Sequence, residues 1–406
     1  MTIACPDCGT LQHLPVLRRG DVAVCPRCGA RLERVNARSI AAALGCALTT
    51  LLLLLPANLL PLLSLNLAGM THRTLLGSGV IALAAQGWLL LALVVGLCAV
   101  VLPFVRFGLL VAALGSVHLR LGWRWQGAAF RWAILLDRWA MPDVFLIACV
   151  VGYARVRSQA AIIHVDAGGY CFIGAALMAM LARALLDRRS VWRAIAAEQE
   201  VPEGAAVLSC AVCNLVQPLD EEGRPCPRCG LTLRARWPGS WERTVALVVA
   251  ALLLYVPANL YPMDLTRYLG HTQSYRIVDG VMALFGAGLW PLGVLVSCTS
   301  IGIPVAKLLG LGWCVLAVRT RSRRFLLLRT RIYRMIDEAG RWSSVDPFII
   351  AVLVPLMHLR SLVTTQAGGA ATAFVAVVML TMIASRGFDP RLMWDAALEG
   401  APHAHG

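Results

Sequence analysis

Lysine occurs once in 406 residues, at Lys307, although the chain carries 37 basic side chains. Charge is scarce altogether: 15% of residues are charged, 59% are hydrophobic, and the mean hydropathy is +0.71. So little charge excludes an ordinary soluble protein of this length and points to an integral membrane protein. There is no Gly-Lys-Ser/Thr phosphate loop, no HExxH and no GxSxG elbow. ATP hydrolysis by a recognisable loop, zinc proteolysis and serine hydrolysis are therefore not expected, and the chain is not expected to be an enzyme. The opening MTIACPDCGTLQHLPVLRRGD has neither the apolar core nor the cleavage site of a secretory signal. Entry through the chain's own spans is expected.

Cysteine is plentiful, and it sorts into two groups. Six of the 14 cysteines sit in apolar runs, where a thiol behaves as a small hydrophobe. The other eight form four CxxC pairs in polar segments: Cys5/Cys8, Cys25/Cys28, Cys210/Cys213 and Cys226/Cys229. Disulfides are one reading. The other is two zinc ribbons, each with four converging thiolates, which suits tetrahedral Zn²⁺ and a reducing cytoplasm. Four closed ligands leave no open position, so such a metal is structural. No aromatic-basic groove accompanies the knuckles, and nucleic acid is not an expected partner.

The chain is written twice. At an offset of 201, Cys25-Pro-Arg-Cys-Gly falls on Cys226-Pro-Arg-Cys-Gly, Pro56-Ala-Asn58-Leu-x-Pro61 on Pro257-Ala-Asn259-Leu-x-Pro262, Pro103 on Pro304 and Arg106 on Lys307. At 203, Arg138-Trp139, Asp143 and Phe145 fall on Arg341-Trp342, Asp346 and Phe348; at 200, Gly168-Gly169 falls on Gly368-Gly369. Two tandem units follow, each a cysteine-rich segment and a membrane segment. The expected domains are a ribbon at 1–36, a membrane module at 37–190, a ribbon at 205–238, a second module at 239–390 and a tail at 391–406.

Four spans per unit are expected, at 40–60, 80–106, 141–163 and 168–187, then 243–262, 279–318, 344–362 and 368–385. The long apolar stretches 80–117 and 279–318 contain Pro and Gly, so each reads as a kinked span continuing into an interfacial helix. The fold class expected is an all-α polytopic membrane protein with two tandem four-helix modules, each preceded by a small β-rich ribbon. Arg clusters at 118–138, 188–243 and 319–341 fall on one side, which the positive-inside rule makes cytoplasmic together with both termini and both ribbons.

Polar residues inside the apolar runs are the candidates for transport chemistry. Asn58 and Asn259 close the first span of each unit, either as plain helix ends or as the polar wall of a cavity. Lys307 either snorkels toward the headgroups or faces the interior, paired with Asp346 or Asp143; both Asp also suit helix N-caps. Ser300 lies two turns before Lys307, and Thr381 and Ser385 share one face of the last span. Each hydroxyl is equally readable as bonded to its own helix.

Two CxxC…CPxCG ribbons, each followed by a span ending Pro-Ala-Asn-x-x-Pro, resemble the paraquat-inducible protein A family. The IPVAKL around Lys307, the RW…DxF before the third span and the closing SRGFDPRLMWD support the likeness over nearly the whole chain. The resemblance implies a bacterial inner-membrane protein with tetraspanin-like modules and cytoplasmic zinc ribbons. It implies a periplasmic MCE-domain partner that forms a tunnel, and phospholipid as cargo. It also makes Lys307, Ser300, Thr381 and a third-span Asp the place to look for proton coupling. The competing expectation is a membrane scaffold with structural zinc ribbons and no transport of its own.

Overall fold

The computed structural model describes residues 2–15, 18, 20–34, 40–67, 70–157, 162–197, 206–268, 271–356 and 363–399. The first ribbon is two hairpins, β1 (Thr2–Ala4) with β2 (Leu11–His13) and β3 (Val22–Val24) with β4 (Arg31–Arg34). The first half follows as α1 (Ile40–Leu59), β5 (Leu63–Leu67), β6 (Met70–Thr74), α2 (Ser78–Ala85), α3 (Leu89–His118), α4 (Gln126–Leu136), α5 (Pro142–Arg157), β7 (Ile162–Val165), α6 (Ala167–Leu185) and α7 (Arg188–Ile195). The second ribbon holds β8 (Val207–Ser209) and β9 (Val216–Pro218). The second half repeats the order: α8 (Ser240–Leu260), β10 (Asp264–Tyr268), β11 (His271–Tyr275), α9 (Ile277–Gly286), α10 (Trp290–Arg319), α11 (Leu326–Ala339), α12 (Val345–Leu356), β12 (Val363–Ala367), α13 (Gly369–Gly387) and α14 (Arg391–Glu399).

Six of these helices are long and apolar enough to cross a membrane: α1, α3, α6, α8, α10 and α13. The chain is a multi-pass membrane protein. It is mostly helical rather than all-α, because the segments between the expected first and second spans of each half, 62–79 and 263–278, contain strands that pair into sheets. The strand orders are β6-β5-β7 and β11-β10-β12, antiparallel throughout. Residues 162–163, expected inside the third span, belong to β7; the end of its copy, 357–362, lies outside the described residues. Residues 198–205 and 400–406, which carry an expected domain boundary and the last seven residues of the tail, also lie outside them.

The long second spans differ from expectation in a way the glycines explain. The chain breaks at Gly87 and Gly288, whose φ of +85° and +75° only glycine adopts readily. The short helix therefore comes before the span, not after it. The span then runs unbroken for 30 residues through one π-turn, Gly96–Val101 in α3 and Cys298–Gly302 in α10. Pro103 and Pro304 follow directly. Each lacks an N–H for the carbonyl four residues back, and the wider turn absorbs the ring at that point.

The repeated Pro-Ala-Asn-Leu-x-Pro segment is where the first and last spans of each half meet. The Gly168 N–H donates to the Pro61 carbonyl (3.0 Å), and the Ala370 N–H donates to the Pro262 carbonyl (3.2 Å). The two halves thus correspond here at an offset of 202, and the double glycines are not equivalent residues. Both still allow close approach. A Cβ on Gly168 would lie 2.4 Å from the Leu60 carbonyl oxygen, and one on Gly368 would lie 2.1 Å from that of Pro262, whereas Gly369 faces open space. Gly368→Ala is expected to cost about 1–3 kcal/mol through overpacking, while Gly369→Ala stays near neutral. Thermal unfolding of the two purified variants checks this; equal melting behaviour would contradict it.

The halves pack through corresponding helices, α5 against α12. The equivalent residues Phe145 and Phe348 stack on each other edge-on at 5.4 Å. Gly79 on α2 fits against the Ala351 carbonyl of α12 so closely that a Cβ would sit 2.1 Å from it.

Candidate functional site

Two sites assemble from the chemistry-bearing residues, and the cysteines form the first. In each knuckle the residue after the second cysteine turns left-handed: Gly9, Gly29 and Gly230 at φ +71°, +69° and +71°, and Asn214 at +55°. Their N–H groups close the turn onto the carbonyls of Cys5, Cys25, Cys226 and Cys210 at 2.8–3.0 Å. Asn tolerates this conformation better than other non-glycine residues, which is why Cys210-Ala-Val-Cys-Asn still folds as a knuckle.

The four sulfurs of each set converge, all within 4.8 Å of one another and all buried. The sulfur separations are 3.5 Å for Cys5–Cys28, 3.6 Å for Cys8–Cys25, 3.4 Å for Cys210–Cys229 and 3.6 Å for Cys213–Cys226. A disulfide needs about 2.05 Å, so the disulfide reading falls. Tetrahedral ligation at a Zn–S distance of about 2.3 Å spaces sulfurs by about 3.8 Å. Either set can hold one metal ion. Gln12 Nε2 donates to the Cys25 sulfur, and Arg334 donates to the Cys28 sulfur and carbonyl.

The ribbons dock crosswise, which no local sequence pattern indicates. The second ribbon packs on the first half: its cysteines share a core with Phe130 of α4 and Trp192 of α7, and Arg228 donates to the Ala196 carbonyl. Gly127 of α4 lies so near the Arg228 carbonyl that a Cβ would come within 1.9 Å. The first ribbon packs on the second half, with its cysteines against Leu326 of α11 and Trp394 of α14 and Asp7 paired with Arg334. Glu33 holds it to the first half as well, through Arg189 and Arg193 of α7.

The second site lies inside the second half. Lys307 on α10 is wholly buried. Its Nζ donates to Ser343 Oγ (3.0 Å) and Thr381 Oγ1 (3.4 Å). Those hydroxyls donate in turn to the carbonyls of Gly340 and Val378. Their protons are thus spent on their own helices, and their lone pairs face the ammonium.

The expected carboxylate partner is not there. Among the described residues Lys307 pairs with no carboxylate. Asp143 is held by Arg183 and Arg341 instead. Asp346 lines a cavity with Arg276. The reason is local winding: residues Gly340–Ser344 form a 3₁₀ turn that brings Ser343, not Asp346, to the lysine.

Ser300 is buried in the π-turn, and its hydroxyl makes no hydrogen bond among the described residues. Ser385 donates to the Met382 carbonyl, and its own carbonyl accepts from Tyr333. Asn58 and Asn259 are bonded to their own helices, at the Leu54 and Tyr255 carbonyls, and not to the carbonyls that Pro56 and Pro257 leave free four residues back.

The equivalent place in the first half has different chemistry. Ala99, Ala140 and Ala179 stand where the second half has Ser300, Ser343 and Thr381, and Arg183 stands for Ser385. Arg106 replaces Lys307 and pairs with Asp137, whose counterpart in the second half is Gly340. Burial alone would lift the Asp137 carboxyl, but Arg106, Arg183 and Arg188 together hold it below the usual carboxylate range. One half therefore carries a guanidinium locked in ion pairs, and the other a lysine facing hydroxyls. Ser343 was the residue missed from sequence; its signal was the contrast between Trp342-Ser-Ser and Trp139-Ala-Met.

A cavity of about 40 Å³ in the second half has mostly apolar walls, Ile277, Leu284, Val296 and Ile349 among them, with Arg276 and Asp346 as its charged lining and Val151 of the first half on one side. It has room for water among polar partners. Asp346 lies three residues beyond Ser343, so the lysine site and the cavity share one short segment.

A sequence model of the paraquat-inducible protein A family matches residues 40–196 and 241–397, which are the two halves without their ribbons. The chain belongs to the paraquat-inducible protein A family. Its relatives within reach include the intermembrane transport protein PqiA of Escherichia coli K12, 29% identical over 97% of this chain and 95% of the relative. The lipophilic envelope-spanning tunnel protein A of the same organism is 28% identical over 98% of this chain and 92% of its own. A probable intermembrane transport protein of Haemophilus influenzae is 26% identical over 97% and 95%. No solved structure matches. This family member thus shares with relatives named for transport nearly its entire length.

Proposed function

We propose that this chain is the inner-membrane component of a lipid transport system, passing phospholipid between its membrane and a periplasmic tunnel built by an MCE-domain partner. Each half is then a tetraspanin-like four-helix module. The ribbons and both termini are cytoplasmic, each ribbon holds one structural Zn²⁺, and the sheets face the periplasm. The names of the relatives support the transport class.

The observation that carries the reading is Lys307: a buried, carboxylate-free lysine whose partner Ser343 lies three residues before Asp346, which walls a cavity together with Arg276. A lysine can release and regain a proton, while a guanidinium cannot. The second half is therefore the one equipped to couple proton movement to lipid movement. The first half, with Arg106 locked to Asp137, is the fixed partner.

The test is transfer of labelled phospholipid from vesicles holding the full chain to the partner, with and without a pH gradient. Transfer that responds to the gradient supports the proposal. Transfer indifferent to it removes proton coupling, and no transfer above protein-free vesicles leaves the scaffold reading.

A further inference from the structure

A larger cavity lies in the first half, at the end of the bundle that carries the sheets. It measures about 150 Å³, and its walls include Leu63 of β5, Val165 of β7, Leu146 and Tyr153 of α5, and Phe172 and Ile173 of α6. Cys149 and the half-exposed Val150 also line it, and no charged residue is among its lining. An apolar cavity of this size stays dry and takes up an apolar guest.

We infer that this groove binds an acyl chain of a phospholipid. The occupant follows from what surrounds it. α6 is a membrane span whose Tyr170 and Leu177 point outward, and Val150 joins the groove to that outward face. The matter in contact with such a face is hydrocarbon. Water gains nothing in a groove that offers it almost no polar partner.

The repeat explains why this groove is apolar. Leu62 and Leu146 line it, and their copies Met263 and Ile349 line the cavity of the second half. In the second half the equivalent wall adds Asp346 and Arg276. In the first half Asp143, the copy of Asp346, is drawn away into pairs with Arg183 and Arg341. The two cavities flank one helix: Val150 lines the apolar one and its neighbour Val151 the polar one. A tail site and a polar site thus stand on either side of α5. The choice of phospholipid as the donor of the chain rests on the transport reading above.

The test uses the full wild-type chain in nanodiscs containing a trace of phosphatidylcholine with a diazirine near one acyl terminus. After irradiation, adducts are mapped by peptide mass spectrometry. Adducts on residues 146–153 and 169–173, several-fold above those on the outward Leu177 and Leu181, are expected. Leu146→Trp is expected to remove them. Adducts no denser in the groove than on the outward positions would overturn the inference, and the wild-type map decides this even where the tryptophan variant fails to accumulate. A blank groove with labelling retained at Ile349 and intact lipid transfer would defeat the groove alone; loss of all three would defeat the transport reading as well.

Discussion

Cys226→Ser is expected to remove most of the protein from the membrane. The second ribbon has little core of its own beyond its four sulfurs, and structural zinc contributes on the order of 10 kcal/mol to small ribbons. The crosswise docking spreads the damage. The ribbon covers α4 and α7 of the first half, with Phe130 and Trp192 packed against it, so its unfolding exposes a core it does not belong to in sequence. Cys28→Ser makes the converse prediction: the first ribbon loosens, and α11 and α14 of the second half become protease-sensitive, because Arg334 and Trp394 lose their partners. Cys298→Ser, at an exposed cysteine outside both sets, serves as the control and is expected to accumulate normally. Immunoblot abundance, metal content and limited proteolysis check all three. Normal abundance of Cys226→Ser with its metal lost would show that the ribbon folds without the ion.

Lys307→Met is expected to raise stability and stop lipid transfer together. The lysine is buried against two hydroxyls and no carboxylate. Replacing a buried ion pair by apolar side chains of similar volume is often neutral or stabilising by about 1–4 kcal/mol, and Lys307→Met, which strands no carboxylate among the described residues, is expected to act in the same direction. Methionine also fits without displacing Gly340, which packs against the lysine stem. The first half provides the contrast. Arg106→Met strands part of the charge on Asp137, so a loss of about 3–5 kcal/mol is expected there, the usual result of breaking a buried pair. A residue that costs stability and is needed for transfer is the pattern of a functional group held under strain. Thermal unfolding and a lipid transfer assay on the same preparations decide it. Retained transfer in Lys307→Met would remove the lysine from the mechanism.

The repeat, the cysteine sets and the long spans were legible because each depends on residues near in sequence or fixed in spacing. CxxC pairs and Pro-Ala-Asn-Leu-x-Pro carry their geometry locally. The sheets were not legible. Leu63–Leu67 is a five-residue strand that pairs with Met70–Thr74 on one edge and with Ile162–Val165, nearly a hundred residues on, on the other, and short strands without a turn signature look like loop. The crosswise docking was hidden for the same reason, since Asp7 meets Arg334 only after the whole chain has folded. The lysine's partners were half legible. The face shared by Thr381 and Ser385 followed from helical spacing, whereas the choice between a snorkelling and a buried Lys307 did not. Ser343 did not, because a 3₁₀ turn shifts the register by which Asp346 had been placed opposite Lys307.

The account stands most directly on whether phospholipid comes into contact, during transfer, with the wall of the water-sized cavity that Asp346 and Ile349 line. A photoreactive residue at Ile349, inside that cavity, is compared with one at Leu253, on the outward face of α8, in cells fed labelled phospholipid. The account predicts capture at Ile349 that changes when Lys307→Met is added, and capture at Leu253 that does not. Capture at Leu253 alone would mean that lipid only surrounds the helices, and the polar site would then belong to a packed scaffold.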